Sequence, residues 1–142
     1  VEILRQRTNK GLAALADVAG INTPPDVYHL GYILGPRINA GGRVGKSDLG
    51  CRLLATEDAN EAITIAKELD KLNRERQAIE LQVTEEAFLQ AEKKAAENSI
   101  IIVSSAGWHP GVIGIVASRI KEKFNKPVAV VAIENGIGKA SV

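Results

Sequence analysis

Two short stretches hold the residues best suited to chemistry. The first is Gly35-Pro36-Arg37-Ile38-Asn39-Ala40-Gly41-Gly42-Arg43, in which two arginines bracket an asparagine among three glycines. Guanidinium forks suit bidentate contact with phosphate or carboxylate, and glycine lets a backbone come close to a ligand. A proline and three glycines predict a shaped loop rather than regular helix or central strand. The same composition also describes a surface turn with solvated arginines. The second stretch, Gly107-Trp108-His109-Pro110-Gly111-Val112-Ile113-Gly114, is a glycine-rich turn entering a helix. Such a turn can present backbone N–H groups to an anion, with His109 beside the helix start. Tight packing of helix on strand accounts for the same glycines. Trp108 is read as core or lid, His29 as structural, and the single cysteine, Cys51, as a small buried core residue.

The element that must position these stretches is a long helix over residues 56–98, which contains no Gly and no Pro. Thr56 is the expected N-cap, with Glu57 and Asp58 on the positive end of the helix dipole. Ala62, Ile65, Ala66, Leu69, Leu72, Ile79, Val83 and Ala87 recur at three- and four-residue steps, and this stripe falters at Arg74-Glu75-Arg76. A helix of roughly 40 residues is about 60 Å long, which predicts that it projects between two bodies.

Before it, the sequence predicts short helices. One is capped by Thr8 or Asn9, carries Leu12, Leu15, Ala16 and Ala19 on its apolar face and stops at Gly20. A short helix through Val27, Leu30 and Ile33 follows the break at Pro24-Pro25, and another, capped by Ser47, continues through Leu53 into the long helix. After the long helix the period changes. Ile100–Val103 and 127–133 read as buried strands covered on both faces, with a helix from Val112 to Phe124 between them. In that helix Ile115, Val116, Ile120 and Phe124 point inward. Glu134-Asn135-Gly136 is a turn signal, and a third strand begins near Gly138. The fold class is therefore α/β: a helical end, a long connecting helix and the start of an α/β lobe with a mostly parallel sheet.

Composition bounds function loosely. The chain has 142 residues and a net charge of +1, and no apolar run approaches the length of a membrane span. No signal-peptide pattern opens it, so a cytoplasmic location without membrane attachment is expected. Residues 1–55 carry seven Lys/Arg against four Asp/Glu, 56–98 six against eleven, and 99–142 five against two. On that distribution a nucleic acid would be repelled by the helix and accepted by its flanks.

Both glycine-rich stretches, in this order and separated by one long helix, resemble the RecJ family of single-strand-specific 5′-to-3′ DNA exonucleases within the DHH phosphoesterase superfamily. The similarity covers essentially the whole chain and takes in 107–119, Asp70-Lys71-Leu72-Asn73-Arg74-Glu75-Arg76 and Gly138-Lys139-Ala140-Ser141, the start of a glycine-serine-arginine motif. It implies a nuclease of DNA repair and recombination that uses Mn2+ or Mg2+ and binds single-stranded DNA between a DHH domain and a DHH-associated domain. Residues 1–55 correspond to the end of the DHH domain, 56–98 to the interdomain helix and 99–142 to the beginning of the associated domain. The resemblance assigns substrate contacts to Arg37, Asn39, Arg43, His109, Arg119 and Ser141, with Arg43 also supporting catalysis. Gly41 stands where alanine is usual. The family's aspartate-rich and Asp-His-His metal motifs have no counterpart in the chain, nor do the arginine after the serine and the later glycine-glycine-histidine motif. The chain is thus expected to be an internal piece that binds no metal and is inactive alone. A phosphodiesterase of short oligonucleotides or cyclic dinucleotides, and a non-catalytic binding module, are the other readings. Oligomeric state is not legible.

Overall fold

The computed structural model describes residues 1–44 and 46–142. Among these described residues lie six α-helices and three strands: α1 Glu2–Gln6, α2 Lys10–Val18, α3 Gly35–Val44, α4 Leu49–Ala55, α5 Ala59–Ala95, β1 Ile101–Ala106, α6 Ile113–Phe124, β2 Val128–Glu134 and β3 Ile137–Ser141. Two compact units, Val1–Arg76 and Gln77–Val142, divide the chain within α5.

The first unit is helical. Asn9 caps α2, its Oδ1 accepting from the Leu12 N–H at 2.8 Å, and Gly20 leaves the helix in the left-handed region at φ 74°. Leu15, Leu34, Leu53 and Leu69 are fully buried in one cluster with Ala40, Ala62 and Ala66. Helices come close through glycine: a Cβ at Gly11 would lie 1.8 Å from the Leu53 carbonyl oxygen, and one at Gly41 2.4 Å from that of Lys46.

The stretch from Gly35 to Arg43 is helix α3 and not the loop its composition predicts. A π-helical turn, His29–Leu34, runs directly into α3, and the Gly35 N–H bonds back to the Leu30 carbonyl. Pro36 thus falls in the first turn of an α-helix, where its missing N–H costs nothing, and the widened turn before it makes room for the ring. Gly41 serves packing, buried against the 46–49 turn, whereas Gly42 is exposed and a side chain there would meet nothing. Cys51 is exposed rather than buried, since α4 turns Leu49, Gly50 and Leu53 inward. Thr56 is extended, at φ −70° and ψ 137°, so α4 does not continue into α5. The cap of α5 is Asp58, whose Oδ1 accepts from the N–H groups of Asn60 at 2.7 Å and Glu61 at 3.2 Å, while the Thr56 hydroxyl donates to Glu61. His29 closes a local turn: its Nδ1 lies 2.6 Å from Asp26 Oδ1, and the Asp26 carboxyl is held below its usual range chiefly by the His29 backbone N–H.

The second unit holds a mixed three-stranded sheet in the order β1-β2-β3. β1 and β2 are parallel, from Ile101 opposite Val128 to Ala106 opposite Ile133, and are joined through α6. β3 returns antiparallel to β2 through Asn135 and Gly136, both at positive φ, the Asn-Gly hairpin chemistry the sequence announces. The sheet is covered on one face only. Ile101 and Val103 are fully buried while Ile102, between them, is 54% exposed, because pleating sends alternate side chains to opposite faces whatever their polarity. The covered face shares a core with Val83, Ala87 and Ala91 of α5 and with Ile113, Val116, Ala117 and Ile120 of α6. Ile115 and Phe124, expected inside α6, are half-buried. No helix of the described residues is long and apolar enough to cross a membrane.

Candidate functional site

Along α5 the buried side chains change chemistry where the apolar stripe falters. Asp70, Asn73, Arg76, Glu80 and Thr84 are all buried and continue the same face at three- and four-residue steps. Buried charge is costly unless paired, and here two carboxylates each hold an arginine from the group singled out by sequence.

In the first unit, Arg37 of α3 donates through Nε to Asp70 Oδ1 at 2.9 Å and through Nη1 to the Ile33 carbonyl at 2.7 Å. Arg74, one turn along α5, pairs with the other oxygen of Asp70 through Nη2. One carboxylate, 5% exposed at its side chain, therefore carries two guanidiniums. Arg37 commits two of its five N–H donors to the fold and keeps the others. Asn39 and Arg43 are exposed and four residues apart on α3, hence on one face.

In the second unit, Glu80 accepts from Arg119 Nη2; the carboxylate is buried and the arginine half-exposed. The turn before α6 is built on Gly107 at φ 89°, which brings Trp108 inward, 4% exposed, with its Nε1 donating to Glu86 Oε2 at 2.7 Å. That bond, then one from Gln82, holds the Glu86 carboxyl below the usual glutamate range. His109 Nδ1 accepts the Gly111 N–H at 3.0 Å, which leaves Nε2 to carry the proton of the neutral ring. Its carbonyl takes the Val112 N–H, and α6 begins one residue later without a side-chain cap. Ser141 lies beside that first turn: a Cβ on Gly114 would approach its Oγ to 3.3 Å. Gly114, Ser118, Lys121 and Ser141 line a groove of about 370 Å³. Two serines and a lysine thus lie along one flank of α6, polar groups that can meet an anion.

The structure thus places Ser141 at the start of α6 and Arg119 on the same helix, with His109 in the turn before it, and Arg37, Asn39 and Arg43 together on α3. Sequence reasoning missed Glu80 and Glu86, and it quoted Asp70 in a motif without giving it a role. Their signal was phase, since Asp70 and Glu80 fall on the apolar stripe of α5, where an exposed acid would not. Among the described residues no group of three or more His, Cys, Asp or Glu could hold a metal ion, so the residues present do not fit a two-metal centre.

Residues 97–142 match the DHHA1 domain family. The chain is 39% identical over 99% of its length to the single-stranded-DNA-specific exonuclease RecJ of Bacillus subtilis, and 40% identical over 83% to that of Escherichia coli. Crystal structures of RecJ from Thermus thermophilus in complex with Mn2+ and with Mg2+ superpose with a TM-score of 0.82 at 37% identity, over 92% of this chain and 19% and 20% of theirs. The chain spans about a fifth of the length of these relatives. Its second unit carries a DHHA1 domain segment of the DHH proteins. Within them, the chain belongs to the RecJ family.

Proposed function

We propose that the chain serves a metal-dependent 5′-to-3′ single-stranded-DNA exonuclease of DNA repair and recombination, acting in the cytoplasm, and that it supplies phosphate-contacting residues rather than the metal centre. What supports this best is the RecJ likeness running through both units at 0.82 TM-score. In this reading residues 1–55 end the DHH domain, 56–98 form the connecting helix and 99–142 begin the associated domain. The Mn2+ and Mg2+ in the RecJ crystal structures suggest the cofactor of the whole enzyme, held by residues other than these. Asn39 and Arg43 act as one pair of phosphate contacts on the exposed face of α3, Arg37 contributes the donors that Asp70 and Ile33 do not take, and His109, Arg119 and Ser141 supply the contacts of the second unit. Asp70 and Glu80 would hold Arg37 and Arg119 in orientation. A preset guanidinium loses less freedom on binding than a loose one.

Arg43 tests the reading in the whole enzyme. Each contact to a charged group is worth roughly 1.5–3 kcal/mol, so Arg43→Ala should cut cleavage of single-stranded DNA about tenfold or more with an unchanged melting temperature. Weaker binding with a shallower salt dependence identifies ground-state phosphate contact, whereas intact binding with reduced turnover identifies transition-state stabilisation. An Arg43→Ala enzyme with wild-type melting, binding and turnover would refute the role.

A further inference from the structure

We propose that the Lys67–Lys71–Arg74 face of α5 is a second binding site, one for the phosphate backbone of a single nucleic-acid strand. The proposal rests on the single-strand reading above but uses cations which that reading leaves idle. By residue count α5 is the acidic part of the chain, and on that ground a polyanion would avoid it. Its side chains are not evenly mixed. Lys67, Lys71 and Arg74 follow one another at four and three residues, so all three emerge on one face, and all are exposed. They line a groove of about 430 Å³ with Val18, Asp70 and Glu75.

The two acids in that groove do not cancel it. Asp70 is buried and already shared between Arg37 and Arg74, so its single charge leaves one guanidinium charge uncompensated. Glu75 faces Lys71 at 3.8 Å with both side chains well exposed, a geometry that contributes little and that a phosphate oxygen can replace. Lys67 makes no ion pair among the described residues, and the neighbouring Glu68 is engaged by Lys46 at 3.0 Å. Counting Arg37, four cations stand against two carboxylates. Their spacing, about 6 Å and then about 4.5 Å along the helix axis, is a line rather than a point. A linear polyanion with a charge at every nucleotide meets all three cations, whereas a compact anion would reach one or two. The lysine stems and Val18 provide an apolar floor for sugar and base.

The 142-residue chain and a fluorescein-labelled oligothymidylate test this by anisotropy across a salt series. The double variant Lys67→Ala/Lys71→Ala removes exposed side chains, and its circular dichroism and melting should match the parent's. Its Kd should rise roughly tenfold, and the slope of log K against log salt should fall by about 0.7 for each phosphate no longer neutralised. Lys67→Arg/Lys71→Arg should restore both, and an oligoadenylate should give the same changes. Arg43→Ala serves as the independent marker of the reading beneath. If Arg43→Ala weakens binding while the double alanine variant keeps the parental Kd and slope, the groove is a solvated face and the proposal falls alone. If the parent chain binds no strand, or binds polyglutamate as tightly, the proposal is overturned whatever Arg43 does.

Discussion

The first unit fills its core with Leu15, Leu34, Leu53 and Leu69, and the second with Ile101, Val103, Val116, Ile120 and Val130. Leucine and alanine suit helix on helix, and β-branched side chains suit a pleated surface. Both units nevertheless use α5 in one way. Each takes a buried carboxylate from it, Asp70 or Glu80, and fastens an arginine of another element there. They differ in how deeply that arginine is set. Asp70 ties α3 to α5 through an arginine that is itself largely buried, whereas the Arg119 that pairs with Glu80 stands half in water. A helix can thus present the same group twice, and the surroundings decide whether it acts mainly as a clamp or as a mooring.

The largest expected effect is the loss of that clamp. Asp70→Ala leaves Arg37 largely buried without its carboxylate and should cost about 3 kcal/mol or more in urea denaturation of the chain. Within the two pairs, Arg119→Ala should cost less than Arg37→Ala, because Arg119 is already half in water. An Arg119→Ala cost equal to or above that of Arg37→Ala would reverse the ranking.

Next in size is the packing contrast. Gly11→Ala sets a methyl against a backbone carbonyl 1.8 Å away and forces α2 and α4 apart, which should cost about 2 kcal/mol. Gly114→Ala in the second unit meets only the Ser141 hydroxyl at 3.3 Å, and its change in melting temperature should be small. Equal losses from the two would mean that the first unit gives way as easily as the second.

The smallest effect separates the units by pH. The Trp108 indole N–H favours the charged Glu86, so the folded pKa lies below the unfolded value of about 4.3. The stability this bond adds is complete above that value and is lost as pH falls through the lower folded one. Trp108 is the only tryptophan, so its fluorescence follows the second unit alone. An acid transition should be visible there and shrink in Glu86→Gln; an unchanged transition in that variant would assign it to other carboxylates.

Much of the fold was legible because it is local. The Asn9 cap, the Gly20 stop, the Asn135-Gly136 hairpin and the 3.6-residue stripe of α5 depend on a few neighbouring residues and on backbone sterics. The change from a 3.6-residue period to β-branched runs at Ile100 likewise announced strand, helix, strand. The family motifs were legible for the same reason, being contiguous. Misreadings came where a residue's meaning depended on a distant partner. Glycine and proline in 35–43 read as loop because their propensities are averages. In the structure a π-turn accommodates Pro36, and Gly41 is small because the Lys46 carbonyl approaches it. Ile102 read as buried from its type, but exposure belongs to the face of a sheet.

What the sequence determined by itself, then, is the order of elements, their caps and turns, and the two motifs that place the chain among RecJ proteins. These follow from interactions spanning a few residues along the backbone. Only the tertiary structure decided that Arg37 and Arg119 are anchored by Asp70 and Glu80, that Trp108 leans on Glu86, and that an acidic helix carries a basic face. Those pairings join residues 22 to 39 positions apart, and their energies depend on burial and on angles between side chains, which composition does not encode.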